Sequence, residues 1–279
     1  VVESYRRIRN TLRFLLANLM DFNPRTDPVA VTDCLEIDRY MLALTEAFQQ
    51  DLMQSYDRYE FHQVVHKLHN FCSEDLGGFY LDILKDRLYT AATQGTPRRS
   101  AQTALHHIAH SLVRLFAPIL SFTSEEVWEH LTGDTEGSVL LHIWHTFPAQ
   151  PDTGLLQQRW GRIRTLRSQV LKKLEDSRAQ GEIGSSLAAT VEIRANSEDF
   201  SLLTALGDDL RFVLIVSEAT LIQINDPQQE GISVASSAQA KCERCWHYRQ
   251  DTGQHAEHPT LCSRCVTNLY GDGEERHYA

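Results

Sequence analysis

Apolar residues recur at helical spacing from the first turn of the chain. Tyr5, Ile8, Leu12, Leu15, Leu16 and Leu19 form one stripe, while Arg6, Arg9, Asn10 and Arg13 share another face. The stretch DFNPRTDP carries turn residues and predicts a stop. The helical pattern resumes from about Glu36 to Thr90. A break is expected at SEDLGG, where Ser73 reads as a cap and Gly77-Gly78 as a terminator. Within that run Phe61, Val64, Val65, Leu68 and Phe71 are predicted to be the buried face. TQGTP ends the segment, and another helix is expected from Pro97 to about Pro118. FTSEEVWEHL then reads as a short helix capped by Thr123 or Ser124, with Glu125 and Glu126 in its first turn. Roughly five helices joined by short connections predict a bundle.

After GSVLLHIWHTFPAQPDTG the pattern changes. Leu156, Trp160, Ile163, Leu166, Val170 and Leu174 mark one long amphipathic helix that should end near Gly181. The period then switches to strand. AATVEIRA, RFVLIVS and ATLIQI are short and β-branched, with a helical SEDFSLLTAL after the first, and one edge strand is expected at Ile232–Ala235. The fold class is therefore mainly α: a helical bundle over 1–150, a long helix plus small α+β junction over 151–238, and a cysteine module over 239–279.

That module reads KCERCWHYRQDTGQHAEHPTLCSRC, two Cys-x-x-Cys pairs separated by sixteen residues. Tetrahedral zinc takes four soft ligands at about 2.3 Å, and each pair offers two thiolates. Cys242, Cys245, Cys262 and Cys265 fill all four places and leave none for water, so one structural Zn²⁺ is expected. A tail of about forty residues cannot build a core, and metal binding would supply its folding energy. Cys34 and Cys72 stand apart in helical context, so the cysteines do not form the framework of a small secreted domain. A reducing compartment, the cytoplasm, is the expectation. His247, His255 and His258 lie between the pairs as alternative ligands, but four cysteines already suffice.

The net charge of -10 is unlike that of a free-standing nucleic-acid binder, yet it is unevenly spread. Residues 1–20 hold four arginines against one glutamate, and residues 159–178 hold seven Lys/Arg against two acids. Arg6, Arg9 and Arg13 on the first helix, and Arg159, Arg162, Arg164 and Arg167 on the long one, suit a phosphate backbone or plain solvated surface. Lys241, Arg244, Trp246, Arg249 and Arg264 around the cysteines interleave basic groups with an aromatic, which suits RNA contact. Glu243, Asp251 and Glu257 nearly cancel that charge, and spacing alone leaves RNA contact even with ordinary solvated charge and Trp246 packed over the metal.

Catalytic signatures are missing. There is no phosphate-binding glycine loop and no GxSxG elbow, and HHIAH lacks the glutamate of a metalloprotease helix. His62, His66 and His69 ride the border of an apolar helix face. The apolar runs fall short of a membrane span. The chain opens on Val1 inside a helical pattern, which suggests a piece of something longer.

Several stretches together resemble the class I isoleucyl-tRNA synthetases. YRRIRNTLRFLLANLMDFNP is similar to the first helix of their anticodon-binding domain. LHNFCSEDLGGFYLDILKDRLY and RRSAQTALHHIAHSLVRLFAPILSFTSEEVW are similar to its next segments. IGSSLAATVEI resembles the junction region, and KCERCW…CSRC the C-terminal zinc finger of the bacterial type. The resemblance runs from Val1 to Ala279 and implies an isoleucine–tRNA ligase. Its reaction is ATP-dependent activation of isoleucine and transfer to tRNA. The ATP-binding and editing domains precede this region in the family. HIAH at His107–His110 has Ala where the HxGH signature has Gly, and no KMSKS-like loop exists, so the segment alone is expected to be inactive. The resemblance implies a monomer that grips the anticodon stem-loop of isoleucine tRNA, with no DNA or membrane partner. Arg6, Arg9, Arg13, Lys241, Arg244, Trp246 and Arg249 are the expected RNA contacts. A stand-alone zinc-containing RNA-binding protein is the alternative. A DNA glycosylase C-terminal region shares the finger but needs a Pro-Glu start and a basic body. An interaction scaffold without RNA is the remaining alternative.

Overall fold

The computed structural model describes residues 2–279 and divides into two compact units, 1–85 with 98–153, and 86–97 with 154–279. The division crosses two helices, one after Lys85 and one after Pro97.

The first unit is helical. It contains α1 (Val2–Leu19), α2 (Glu36–Asp57) and α3 (Phe61–Asn70), then a π-helical stretch (Phe71–Tyr80) that runs into α4 (Leu81–Thr90). Most of α5 (Thr96–Phe116) and all of α6 (Ser121–Thr132) follow. Each helix turns an apolar stripe inward. Leu12 and Leu15 of α1, Ile37, Met41, Leu42 and Leu52 of α2, Leu68, Leu76, and Leu105, Ile108 and Leu112 of α5 are all essentially inaccessible. Each such side chain contributes about 1.5–3 kcal/mol by leaving water. The carboxylate of Asp38, buried in α2, is paired on both oxygens: the Tyr80 hydroxyl donates to Oδ1 at 2.7 Å, and Ser100 donates to Oδ2.

The expected break at SEDLGG does not occur. The backbone widens into π geometry and carries on into α4. Gly77 and Gly78 ease this: a Cβ on Gly77 would stand 3.1 Å from Cys72 O and one on Gly78 3.3 Å from Ser73 O, one wide turn earlier. Ser73 caps nothing; its hydroxyl donates back to His69 O at 2.9 Å. Two further expectations change. On α3 only Val64, Leu68 and the adjoining Phe71 are buried, and Phe61 and Val65 face solvent, because ten residues present a narrow stripe. α6 starts at Ser121, two residues before the expected caps, so Thr123 and Ser124 lie buried inside it.

The second unit is built on α7 (Thr153–Ala179), whose buried stripe is Leu156, Trp160, Ile163, Leu166, Val170 and Leu174. Gly181, at φ 76°, follows its end as the sequence predicts. The sheet has order β2-β1-β3: β1 (Ala189–Ala195) pairs parallel with β2 (Glu218–Gln223) and antiparallel with β3 (Gly231–Ser236). Ala189, Val191, Ile193 and Ala195 alternate inward along β1. Asn196 caps α8 (Ser197–Thr204) by accepting from Glu198 N and Asp199 N, both at 3.1 Å.

RFVLIVS is not a strand. Leu210–Leu214 is a helical turn, α9, closed by Ile215 at φ 56°. Leu210, Phe212, Val213, Leu214 and Val216 are all buried, and an unbroken apolar run buried on every side carries no period that separates strand from helix. The unit ends in a small hairpin, β4 (Ala240–Lys241) with β5 (Tyr248–Arg249), a loop, and α10 (Ser263–Tyr270). No helix among the described residues is long and apolar enough to cross a membrane.

Candidate metal centre and candidate nucleic-acid interface

Two backbone turns bring the four cysteines together. The first follows β4: Cys242 N donates to His247 O and Trp246 N to Cys242 O, both at 2.9 Å, and Trp246 adopts φ 65° to close the turn. The second is the start of α10, with Cys262 as the residue before the helix and Cys265 in its first turn. All four sulfurs are buried and lie within 4.8 Å of one another. Cys245 Sγ and Cys262 Sγ stand 3.7 Å apart. Four Zn–S bonds of about 2.3 Å in a tetrahedron place sulfurs about 3.8 Å apart, so the spacing fits a divalent ion at the centre. The Cys262 amide also donates to Cys242 Sγ at 3.4 Å, a hydrogen bond that fixes where this sulfur points.

The electrostatics point the same way. Hydrogen bonds from Cys262 and Cys265 favour ionisation of Cys245. With Cys245 so bound and charged, the Cys262 thiol is pushed up to about 12 and Cys265 also rises. Four sulfurs this close cannot all ionise without a cation among them. His247 is buried but stands outside the group: its ring meets Phe212 edge-on at 5.6 Å, and Nδ1 lies 3.2 Å from Cys245 O and 3.9 Å from Asp86 Oδ1.

Asp86 is a site residue the sequence did not signal. Its side chain is only 15% exposed and accepts from Arg264 at 2.6 and 2.8 Å, and also from Arg276. Burial alone would raise its pKa. The two guanidinium charges and the Arg264 hydrogen bonds outweigh that and hold the carboxyl well below the usual carboxylate range. Glu274 completes the cluster, 3.0 Å from Arg276 Nε. Arg264, between Cys262 and Cys265, is thereby occupied by protein.

The expected RNA-contact residues fall in two sets, one in each unit. In the first unit Arg6 is exposed and lies 3.4 Å from Glu3, while Arg9 forks onto Glu126 with both bonds at 3.0 Å. Arg13 is exposed and lines a groove of about 720 Å³ between α1 and α6. In the second unit the structure brings Lys241 and Trp246 together, with Nζ 5.5 Å from the indole centre, and Trp246 is 60% exposed. Arg249 sits 3.8 Å from Asp251, and Arg244 donates to Thr90 O. Among the long-helix arginines, Arg162 is bonded to Asp199 at 2.8 and 2.6 Å.

His107 and His110, set aside in the sequence, belong to a cluster within the first unit. His107 Nδ1 is 3.0 Å from His145 Nε2, and the His106 and His110 rings are 4.4 Å apart. Burial first, then the neighbouring positive groups, lowers His106 to about 4, His145 to about 3 and His110 to about 2.

Residues 38–193 match the family described as the anticodon-binding domain of tRNA ligase. The chain belongs to that family. Residues 240–268, which contain all four cysteines, match a second family, described as a zinc finger found in FPG and IleRS. Among curated relatives, an isoleucine–tRNA ligase of Nitrosomonas europaea is 64% identical over the whole chain and 30% of its own length. Those of Paraburkholderia phytofirmans and Thiobacillus denitrificans are each 57% identical, over 99% and 100% of the chain and 29% and 30% of their own lengths. The chain thus spans about 30% of the length of the relatives it matches, and it corresponds to their anticodon-binding and zinc-finger part.

Proposed function

We propose that this chain is the tRNA-recognition portion of an isoleucine–tRNA ligase. In this reading the helical domain, 1–150, and the finger, 239–279, grip the anticodon stem-loop of isoleucine tRNA, with 151–238 as the junction between them in sequence. One observation carries it: a single chain combines an anticodon-binding match over 38–193 with a buried four-sulfur cluster inside the finger match.

Cys242, Cys245, Cys262 and Cys265 hold one zinc, whose role is structural because four protein donors complete its shell. The ion organises the turn that displays Lys241 and Trp246. Lys241 meets phosphate, and the exposed indole of Trp246 stacks on an unpaired base. Arg6, Arg9, Arg13, Arg244 and Arg249 add charge along the backbone. Adenylate formation from isoleucine and ATP belongs to other parts of the longer protein, which acts as a monomer in the cytoplasm.

Binding to isoleucine tRNA and to a non-cognate tRNA, each across a salt series, tests the reading. Tighter binding of isoleucine tRNA, falling steeply with salt, is expected, with no isoleucine-dependent ATP–pyrophosphate exchange. Equal weak binding of both tRNAs would overturn it.

A further inference from the structure

The loop between the two cysteine pairs carries a second set of metal-capable donors. His255, Glu257 and His258 each offer one ligand atom, and the three atoms lie within 4.8 Å of one another. A backbone turn sets them there: His258 N donates to His255 O at 3.0 Å, which puts residues i and i+3 on one side. The loop is closed on itself by Leu261 N to His258 O at 3.1 Å and Gly253 N to Leu261 O at 3.2 Å. Gly253 has φ 86° and a Cβ there would stand 3.1 Å from Pro259 O, so the closure depends on glycine.

The donors are also presented for use. His258 lies flat on Tyr270, ring centres 4.2 Å apart and planes 3° apart, and His255 stacks beside it at 5.1 Å. Stacking occupies the ring faces and leaves the in-plane nitrogens for coordination. None of the three side chains makes a hydrogen bond or ion pair among the described residues. His255 and Glu257 are exposed and His258 is half-buried, so a cation binds without the cost of burying charge.

We propose that His255, Glu257 and His258 form a second, open site for a borderline divalent ion of the Zn²⁺, Ni²⁺ or Cu²⁺ class. Two imidazoles and a carboxylate are the donor set these ions prefer over Mg²⁺ or Ca²⁺. Bonds of about 2.0–2.1 Å in a tetrahedron bring donors about 3.4 Å apart, a closure that rotation of exposed side chains supplies. Three protein donors leave at least one position for water, so this ion exchanges readily while the four-sulfur ion does not.

Co²⁺ titration of the reduced full chain, with bound metal counted by equilibrium dialysis, tests this. Two equivalents are expected in the wild type. One brings a thiolate-to-cobalt charge-transfer band; the other, weaker, adds none. In H255Q/H258Q the weaker equivalent should lose affinity by on the order of tenfold or more, as expected when two of three donors go, while the charge-transfer band reports an intact finger. A repeat with Zn²⁺ should give the same stoichiometry. Binding that stops at one equivalent in the wild type, or a second equivalent that survives in H255Q/H258Q, overturns the site. A missing charge-transfer band with a variant-sensitive weak equivalent would uphold this site and remove the four-thiolate zinc reading instead.

Discussion

Arg264 closes a two-point fork on Asp86, 178 residues earlier in the chain, with N–O distances of 2.6 and 2.8 Å. Arg264 stands between Cys262 and Cys265, so the sulfur cluster and the end of α4 share one ion-pair network within the second unit. Arg276 joins the same carboxylate.

Asp86→Asn should therefore destabilise the second unit by about 3 kcal/mol, since it leaves Glu274 as the one carboxylate facing two largely buried guanidinium groups. Asp82→Asn, which breaks an exposed pair with Lys85, should cost under about 1 kcal/mol. Urea unfolding read through amide exchange in α7 and α10 distinguishes the two. The Asp86 carboxyl is depressed in the fold, so its contribution is present above the ordinary carboxylate range and is lost as pH falls through and below about 4. Equal effects of the two variants would refute the network's role.

The histidine cluster makes the first unit sensitive to acid. His106, His110 and His145 are held neutral in the fold to about 4, 2 and 3, whereas the unfolded chain protonates from about 6.5 downward. The unfolded state binds more protons in that window, so stability falls as pH drops from about 6.5 to 4, by at most about 1.4 kcal/mol per pH unit for each histidine. The urea midpoint of the bundle should drop between pH 7.5 and pH 5, and H106Q/H110Q should flatten the change. An identical midpoint at both pH values would count against the cluster.

Zinc should be held tightly at the four sulfurs. Fresh reduced protein is expected to retain one ion per chain after dialysis, and Cys262→Ser should release it. Chelation should raise amide exchange across residues 240–268 before it touches α1–α3, because the finger has no apolar core of its own beyond Leu261 against the cysteines. Retention of zinc by Cys262→Ser would contradict the ligand assignment.

Trp246 and Lys241 should act on RNA rather than on stability. Trp246→Ala is expected to weaken tRNA binding by about 1–3 kcal/mol, the worth of one stacked base, with little change in urea midpoint. Lys241→Gln should lower the slope of log K against log salt by about 0.7–0.9, one phosphate contact. A loss of fold in Trp246→Ala would make the indole a packing residue instead.

What could be read from the chain, and what could not, divides along physical lines. The stripes of α1 and α7 and the alternation along β1 are local, and the sequence shows them directly. The four-sulfur cluster was equally legible, since each Cys-x-x-Cys turn is a short-range device. Gly77 and Gly78 misled because a glycine pair that fits a π turn looks the same as one that ends a helix. RFVLIVS misled because burial on all sides erases periodicity. Asp86 and the meeting of His145 with His107 gave no signal, because they depend on pairings across tens to hundreds of residues. For the same reason charge pattern did not reveal that Arg9 is forked onto Glu126 or that Arg244 donates to Thr90 O.

That this chain reads the anticodon can be checked by titrating it against short stem-loops. Stem-loops carrying an isoleucine anticodon should bind more tightly than otherwise identical loops with a single anticodon base changed, by about 1–3 kcal/mol per changed base, at fixed salt. Equal affinity for matched and mismatched loops would contradict it.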